Sequence, residues 1–429
     1  MMTNIPDRLN GPASEPIGEI DFLPVLETTL PNGIEVTLIQ AGSQDVTKID
    51  WVFPAGAIQA GRPLLSSTVG NLMIEGTTSR SSAQISETLD FYGAYLSTQT
   101  YFHNSVVSLV CLTKELPELF PLVEDVIRNA SFEQRELEIY INKRRQEYIL
   151  ESEKVKTIAA RRFSESIFGA DHPYGRQLSL SHFDAITRED VVSFHRDAFT
   201  PHGCKIVVAG QPGENIVDLL TRHFGMNDWP KGPYNGNGVD DIAPSVEKFQ
   251  LVEKEGAVQS AIRIGRPIFN NHHADFIPLQ VVNTILGGYF GSRLMTSVRE
   301  EKGLTYGIGS NIMSYKNCGM WYIASEVMGE MRPAAVGAIF DEMLRLANEP
   351  VPDDELEVVR NYMLGELLRN FDGPFSTSDI YRTLQEFNLD FGFYSKMVDE
   401  IRTITPARIM ELAAKYLQPD DFYVVVAGK

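Results

Sequence analysis

The sequence has few cysteines, and their placement excludes two classes of site. Only three occur among 429 residues, namely Cys111, Cys204 and Cys318. They are odd in number, no Cys-x-x-C is present, and each lies in or beside an apolar run. A disulfide framework and a zinc knuckle are therefore excluded. We predict three buried free thiols in a reducing compartment.

Positive charge and long apolar runs are also scarce. The chain has 38 Lys and Arg against 57 Asp and Glu, which gives a net charge of −19. Because no basic surplus is available to meet phosphates, we predict that the protein does not bind nucleic acid. Basic or extended peptides would be attracted instead. No run has the length of a membrane span, and the first residues lack the apolar core of a signal peptide. We therefore predict a cytoplasmic protein with no membrane association.

Nucleotide and metal motifs are missing as well. Neither G-x-G-x-x-G nor G-x-x-x-x-G-K-[ST] occurs, so a nucleotide site has no support. The eight histidines show no ligand spacing. His272 and His273 are adjacent and would point in different directions on a helix, and His172 precedes a proline in a turn. We predict that the chain binds no metal or other cofactor of its own.

The composition and length are those of a multidomain globular protein. The chain is 43% hydrophobic and 22% charged, and roughly two to four domains of about 100–200 residues are expected for this length. The segment 226–246 is rich in Gly, Pro, Asn and Asp, which is typical of a linker. We predict a first unit at 1–225, a linker at 226–246 and a second unit at 247–429.

Three short signals recur in the same order in the second half. The segment 69–71 (VGN) returns at 281–283 (VVN), the segment 136–138 (ELE) returns at 355–357, and the segment 207–210 (VVAG) returns at 425–428. The three offsets are nearly equal, which predicts a tandem duplication of an α+β unit of roughly 215 residues. Because β-hairpins alternate with long helices, we expect mixed, largely antiparallel sheets with helices on one face.

The opening helix of the first unit shows one apolar stripe. Leu65, Val69, Leu72 and Met73 fall at helical spacing, and Gly76 follows where a helix commonly ends. This helix carries no histidine and only one acidic residue, near its end.

Several strings along the chain resemble the insulinase/pitrilysin family of peptidases, in particular its short branch with two repeats. They are LPNG at 30–33, EGT at 75–77, HPYG at 172–175, TRED at 187–190 and VVAG at 207–210. The most extensive match lies in the second half, where SRL at 292–294 is followed by REEKGLTY at 299–306. The resemblance extends from about residue 27 to 429, and it implies two α/β units that form half of a clamshell.

In that family, two histidines and a distant glutamate hold zinc, and a glutamate between the histidines is the general base. Counted back from Gly76, the resemblance places these positions at Ser67, Gly70 and Asn71, which are all substituted. The count to the distant ligand reaches Glu147, either a remnant of the site or an ordinary solvated helix residue. A single carboxylate does not make a zinc site, so the resemblance implies that zinc is bound by a partner subunit.

The second half keeps more of the family pattern. By resemblance, Arg299 and Tyr306 correspond to the pair that reaches the substrate carbonyl and stabilises the oxyanion. The alternatives are a salt bridge near a helix C-terminus for Arg299 and a core position for Tyr306. The glycine-rich stretch with Gly287, Gly288 and Gly291 corresponds to a turn close to substrate, and it also fits a helix C-cap.

Three hypotheses follow. In the first, the chain is the zinc-free subunit of a heterodimeric peptidase and is inactive alone. A homologous partner would carry His-x-x-Glu-His, and a peptide would be the substrate. In the second, it is a scaffold or peptide-binding protein without enzymatic activity, as are core subunits of respiratory complexes with this fold. In the third, it is an autonomous metallopeptidase with an altered site.

Overall fold

The structure is a computed structural model, which describes residues 17–18, 20–233 and 241–429. The predicted linker, 226–246, includes residues 234–240, which lie outside the described part. The domain boundaries therefore stay a prediction.

The first half has six strands and eight α-helices within the described residues. The strands are β1 (Leu26–Thr29), β2 (Glu35–Gln40), β3 (Val46–Phe53), β4 (Tyr95–Thr100), β5 (Ser105–Leu112) and β6 (Lys205–Gly210). The helices are α1 (Leu65–Met73), α2 (Ser82–Phe91), α3 (Leu116–Asn129), α4 (Gln134–Ser152), α5 (Val155–Phe168), α6 (Leu180–Asp184), α7 (Arg188–Ala198) and α8 (Ile216–Phe224). The capping box predicted at Thr187 is present, since its hydroxyl accepts from the Asp190 amide.

The second half has five strands and six α-helices within the described residues. The strands are β7 (Phe249–Glu253), β8 (Gln259–Ile268), β9 (Thr305–Ser314), β10 (Gly319–Met328) and β11 (Tyr423–Gly428). The helices are α9 (Phe276–Asn283), α10 (Arg332–Asn348), α11 (Asp353–Asn370), α12 (Gly373–Glu386), α13 (Gly392–Thr403) and α14 (Pro406–Tyr416). Two π-helical segments, Thr284–Gly288 and Met295–Glu301, follow α9.

Each half forms one sheet, and the two sheets are built alike. Their strand orders are β1-β2-β6-β3-β5-β4 and β7-β11-β8-β10-β9. The pairs β2–β6 and β7–β11 are parallel and all other pairs are antiparallel. The fold prediction is confirmed, since both sheets are mixed and largely antiparallel. The repeat also appears in the elements, because β6 and β11, which carry the recurring VVAG string, each lie between one parallel and one antiparallel neighbour.

The two halves exchange one helix each, which the sequence did not indicate. Helix α5 packs on β8 and β11 of the second sheet, and α12 packs on β2 and β6 of the first. Small residues allow the approach of α5, since Ala159, Ala261 and Ala427 form a buried cluster. The helices of the same half cover one face of each sheet, as expected, and the exchanged helix covers part of the other face.

The largest buried side chains include Trp51 and Trp321, one in each core. The three cysteines are buried and free. Burial raises the pKa of the Cys111 thiol to about 12 and that of Cys318 to about 11. In the described ranges, no helix combines the length and apolarity that crossing a bilayer would need.

Candidate functional site

Helix α1 is held by the predicted apolar stripe, and its other side bears the substituted metal positions. Leu65, Val69, Leu72 and Met73 are all buried. The helix ends at Met73, before Gly76 is reached, because the chain turns there and Gly76 pairs with Ser81 in an isolated bridge. The predicted helix is therefore present, but it ends earlier along the chain than the glycine predicted to stop it.

The groups at the three substituted positions do not fit a zinc ion. The Ser67 hydroxyl donates to the Leu64 carbonyl at 3.0 Å, and the Asn71 amide donates to the Ser67 carbonyl at 2.7 Å. Gly70 has no side chain, and a Cβ there would lie 2.9 Å from Thr100 Oγ1. A serine, a glycine and an asparagine whose polar groups already serve the helix backbone replace neither two imidazoles nor a carboxylate base.

Glu147 lies on α4, the helix that packs against α1. Its carboxylate pairs with Arg144 at 2.5 Å, and its side chain is 43% exposed. The structure places Glu147 in the surroundings of a solvated helix residue. Within the described residues, no three His, Cys, Asp or Glu side chains come together as metal ligands.

Arg299 and Tyr306 lie on the surface of the second half. Arg299 is in the last turn of the segment Met295–Glu301, where its guanidinium lies over the Phe290 ring at 4.9 Å and 3.8 Å from Glu300. Tyr306 lies near the start of β9 and is 92% exposed, so it is not a core aromatic. It lines a cavity of about 510 Å³ beside Lys156 and Arg263.

The structure does not bring Tyr306 into the cavity at α1. Ser67 lines a different cavity, and the residues that line the two have no member in common. The predicted residues of the two halves therefore do not form one site within this chain.

The three glycines of the glycine-rich stretch have different surroundings. Gly287 is buried, and a Cβ there would lie 2.7 Å from the Ser310 amide, so the close approach to β9 requires glycine. Gly288 ends a π-helical segment. A Cβ at Gly291 would lie 2.8 Å from the Tyr289 ring. These contacts fit the turn interpretation, and a role in substrate binding stays a prediction.

The sequence did not predict a cavity that lies between the two halves. It has a volume of about 580 Å³ and borders Ser67 on α1. The turn between β4 and β5 contributes Phe102, the turn between β9 and β10 contributes Tyr315, and α12 contributes Glu386. These elements meet only because α12 crosses to the first sheet. One indication in the sequence is that α12 begins about one repeat length after α5, so the two exchanged helices are equivalent elements of the duplication.

Burial shifts the pKa values of two ionisable side chains that line this cavity, His103 and Glu386. His103 hydrogen-bonds through Nε2 to the Tyr174 hydroxyl at 2.6 Å. Burial, and then the charge of Lys316, lower the pKa of His103 to about 4, so the imidazole is neutral at pH 7. Burial raises the pKa of Glu386, against the opposing charge of Lys316 and a hydrogen bond from Asn104 at 3.0 Å.

Comparison with known proteins places this architecture in a family. Residues 51–175 match the model described as insulinase, peptidase family M16, and residues 185–363 match the model described as the peptidase M16 inactive domain. An uncharacterized zinc protease of Mycobacterium tuberculosis is 24% identical over 412 residues, which are 94% of this chain and 92% of that protein.

Two solved structures share the fold. One is a peptidase M16 inactive domain from Pseudomonas fluorescens, with a TM-score of 0.82 and 19% identity over 95% of this chain and 98% of that chain. The other is the periplasmic protease PqqL from Escherichia coli, with a TM-score of 0.78 and 15% identity over 97% of this chain and 48% of that chain. With these matches to both halves and the duplicated architecture, the chain belongs to the insulinase family of peptidases, family M16.

Proposed function

We propose that this chain is the non-catalytic subunit of a two-chain peptidase and is inactive alone. The observation that carries the proposal is the contrast between its halves. On α1 the family's metal ligands are replaced, and the polar groups of Ser67 and Asn71 bond to the helix backbone. The string from Arg299 to Tyr306 keeps the family pattern, with Arg299 half-buried and Tyr306 exposed. A homologous partner with His-x-x-Glu-His would supply the zinc, the general base and the attacking water.

In this proposal, Arg299 and Tyr306 stabilise charge that develops on the scissile carbonyl oxygen. A guanidinium and a phenol both donate hydrogen bonds, and such donors are most effective where water is excluded. Tyr306 is 92% exposed in the isolated chain. A partner that closes over this surface would exclude the water, and the pair would then act in trans.

Chain length supports a partner of similar size. This chain corresponds to 48% of the E. coli periplasmic protease, so that protein contains a further segment of about the same length in one polypeptide. In a two-chain peptidase, the partner would take the place of that segment.

The peptide would bind by strand addition. Strands β4 and β9 are the outer strands of their sheets and have one unpaired side within the described residues, and an extended peptide adds to such an edge through main-chain hydrogen bonds. Gly287, Gly288 and Gly291 precede β9 and would line the approach to it. We also propose a cytoplasmic location, from the charge and cysteine content.

The alternative proposal is a peptide-binding protein without a catalytic partner. The cavity between the halves favours it, because that cavity is far larger than a buried water requires and shares no lining residue with the Tyr306 cavity.

The test is co-expression with a homologue from the same genome that carries the zinc motif. We expect chelator-sensitive cleavage of unstructured peptides by the pair and none by this chain alone. Removal of one oxyanion donor costs about 100-fold in kcat, so Arg299→Ala and Tyr306→Phe should each lower the rate strongly. Arg369→Ala, an exposed arginine on α11, and Tyr92→Phe are the controls and should leave it unchanged.

Three results would separate the hypotheses. A pair that cleaves no faster than the partner alone contradicts the heterodimer. A stable complex in which Arg299→Ala and Tyr306→Phe have no effect supports the scaffold. Stoichiometric zinc in this chain, with activity that a chelator abolishes, would establish an autonomous metallopeptidase.

A further inference from the structure

Two adjoining cavities form one cleft between the halves, referred to below as the interhalf cleft. The first, of about 580 Å³, is the cavity that borders Ser67. The second, of about 390 Å³, lies toward β6 and the turn between β9 and β10. Five residues line both: His103, Asn104, Arg382, Glu386 and Phe387. A ligand in the cleft would therefore contact both cavities at once.

One end of the interhalf cleft is apolar and aromatic. Tyr101 and Phe102 follow β4 and Met313 lies on β9, while Phe387, which follows α12, lines both cavities. Phe102 and Tyr315 have ring centroids 5.8 Å apart. This end offers a surface for a bulky apolar side chain, which such a pocket binds by removing its surface from water.

The other end is cationic, although the whole chain is acidic. Lys205 and Lys316 line only this second cavity, and Arg382 lines both cavities. Lys205 pairs with Glu35 at 3.0 Å, and Arg382 lies 3.2 Å from Asp379. Lys316 forms no ion pair with any residue of the described ranges. Its charge nevertheless acts into the cleft, because it lowers the pKa of His103 and opposes the rise in the pKa of Glu386.

Two groups between these ends match a peptide backbone. The Asn104 amide donates to Glu386 at 3.0 Å. Asn104 can donate a second hydrogen bond to a carbonyl, and the Glu386 carboxylate can accept one from an N–H. The order along the cleft is thus an apolar surface, a donor with an acceptor, and then a free ammonium.

We propose that the interhalf cleft binds the carboxyl-terminal residue of a peptide whose last side chain is bulky and apolar. The terminal carboxylate pairs with Lys316, the last side chain contacts Tyr101, Phe102 and Met313, and the backbone bonds to Asn104 and Glu386. This inference rests on the peptide-binding role proposed above and adds a preference for one end of the peptide.

The chemistry of the cleft favours a carboxylate over a phosphate. Glu386 lies between the two ends, and its negative charge would oppose a dianion more than a single charge. Phosphate sites in proteins commonly use arginine forks or several backbone amides. The two arginines that line the cleft are already paired, Arg62 with Asp190 and Arg382 with Asp379.

The test is fluorescence anisotropy with the full chain and a labelled hexapeptide that ends in phenylalanine. The peptide is prepared as the free acid and as the carboxyl-terminal amide. We expect the amide to bind about fivefold more weakly, which is the scale of one partly exposed ion pair. Lys316→Gln should weaken the free acid by the same factor and leave the amide unchanged. Lys396→Gln, an exposed lysine on α13, is the matched control.

The apolar end is tested separately. Met313→Trp should fill the cavity and weaken both forms of the peptide, and a free acid that ends in glycine should bind more weakly than the phenylalanine peptide. Equal affinity for acid and amide, with peptide binding retained, would overturn the carboxylate anchor but leave the proposed function intact. No binding of any peptide would contradict both the carboxylate anchor and the peptide-binding role, while the heterodimer is judged by the co-expression test.

Discussion

The ammonium nitrogen of Lys48 lies 2.6 Å from a carboxylate oxygen of Asp379, and this ion pair joins the two halves of the chain. Lys48 lies on β3 in the first sheet, and Asp379 lies on α12, the helix contributed by the second half. The side chain of Lys48 is 12% exposed. Asp50 lies 3.5 Å from the same ammonium, and Arg382 lies 3.2 Å from Asp379. The contact between the halves therefore includes a charged network in which Lys48 and Asp50 are largely buried while Asp379 is half exposed.

Asp379→Asn should destabilise the protein by about 1–2 kcal/mol. The substitution leaves the buried ammonium of Lys48 with Asp50 as its remaining counter-ion, and a buried charge that loses a partner is costly. Urea unfolding followed by circular dichroism measures the change. Asp341→Asn on α10 removes an exposed carboxylate and should have no measurable effect. Equal stability of the two variants would show that the network does not hold α12 in place.

Gly70→Ala should fail to stabilise α1. Glycine to alanine in a helix normally gains about 1 kcal/mol, but here the new Cβ would lie 2.9 Å from Thr100 Oγ1. In a Thr100→Ala background the obstruction is removed, and the usual gain should appear. A double-mutant cycle from thermal unfolding tests this coupling. A gain in the wild-type background would mean that the helix tolerates a side chain at this position.

Asp275→Asn should destabilise the protein at neutral pH and have less effect in acid. Burial alone would raise the pKa of Asp275, but hydrogen bonds from Tyr416 and Lys415 and the charges of Lys415 and Arg408 lower it to about 2. The ionised carboxylate therefore stabilises the folded state above its unfolded pKa, which is about 3.9. This stabilisation is lost as the pH falls toward the folded-state pKa of about 2. At pH 7 we expect the substitution to lower the free energy of unfolding by about 2 kcal/mol. A difference independent of pH between 7 and 2.5 would contradict this assignment.

Asn283→Ala should lower the free energy of unfolding by about 1–3 kcal/mol. The Asn283 side-chain oxygen accepts from the indole nitrogen of the fully buried Trp321 at 2.8 Å, and an unsatisfied buried donor loses its full desolvation energy. The matched control is Asn71→Ala, the corresponding residue of the first half. Asn71 is exposed and bonds only to the helix backbone, so its substitution should cost much less. Chemical denaturation of both variants decides the comparison.

The repeat and most elements could be predicted because they depend on local pattern. The stripe of Leu65, Val69, Leu72 and Met73 and the capping box at Thr187 were read from spacing alone. The recurrence of Val207–Gly210 at Val425–Gly428 located the strand that lies inside each sheet. Hydrophobic periodicity and capping residues act over a few neighbours, so they are visible in a single sequence.

The environment of single residues could not be predicted in the same way. Tyr306 had a core position as one alternative, yet it is 92% exposed. Asn71 and Asn283 are equivalent in the repeat, but one is exposed and the other bonds to a buried tryptophan. Such differences depend on which element packs against a residue, and that is a property of the whole fold.

By itself, the sequence determined that the chain is a duplicated α+β protein and that α1 lacks the donors of a zinc site. Both follow from which residue types occur and how they are spaced. Only the tertiary structure decided that α5 and α12 are exchanged between the halves and that a cleft with Lys316 and Glu386 lies between them. The physical reason is that a cleft is formed by side chains far apart in sequence, such as Asn104 and Glu386, whose approach is fixed by packing rather than by local preference.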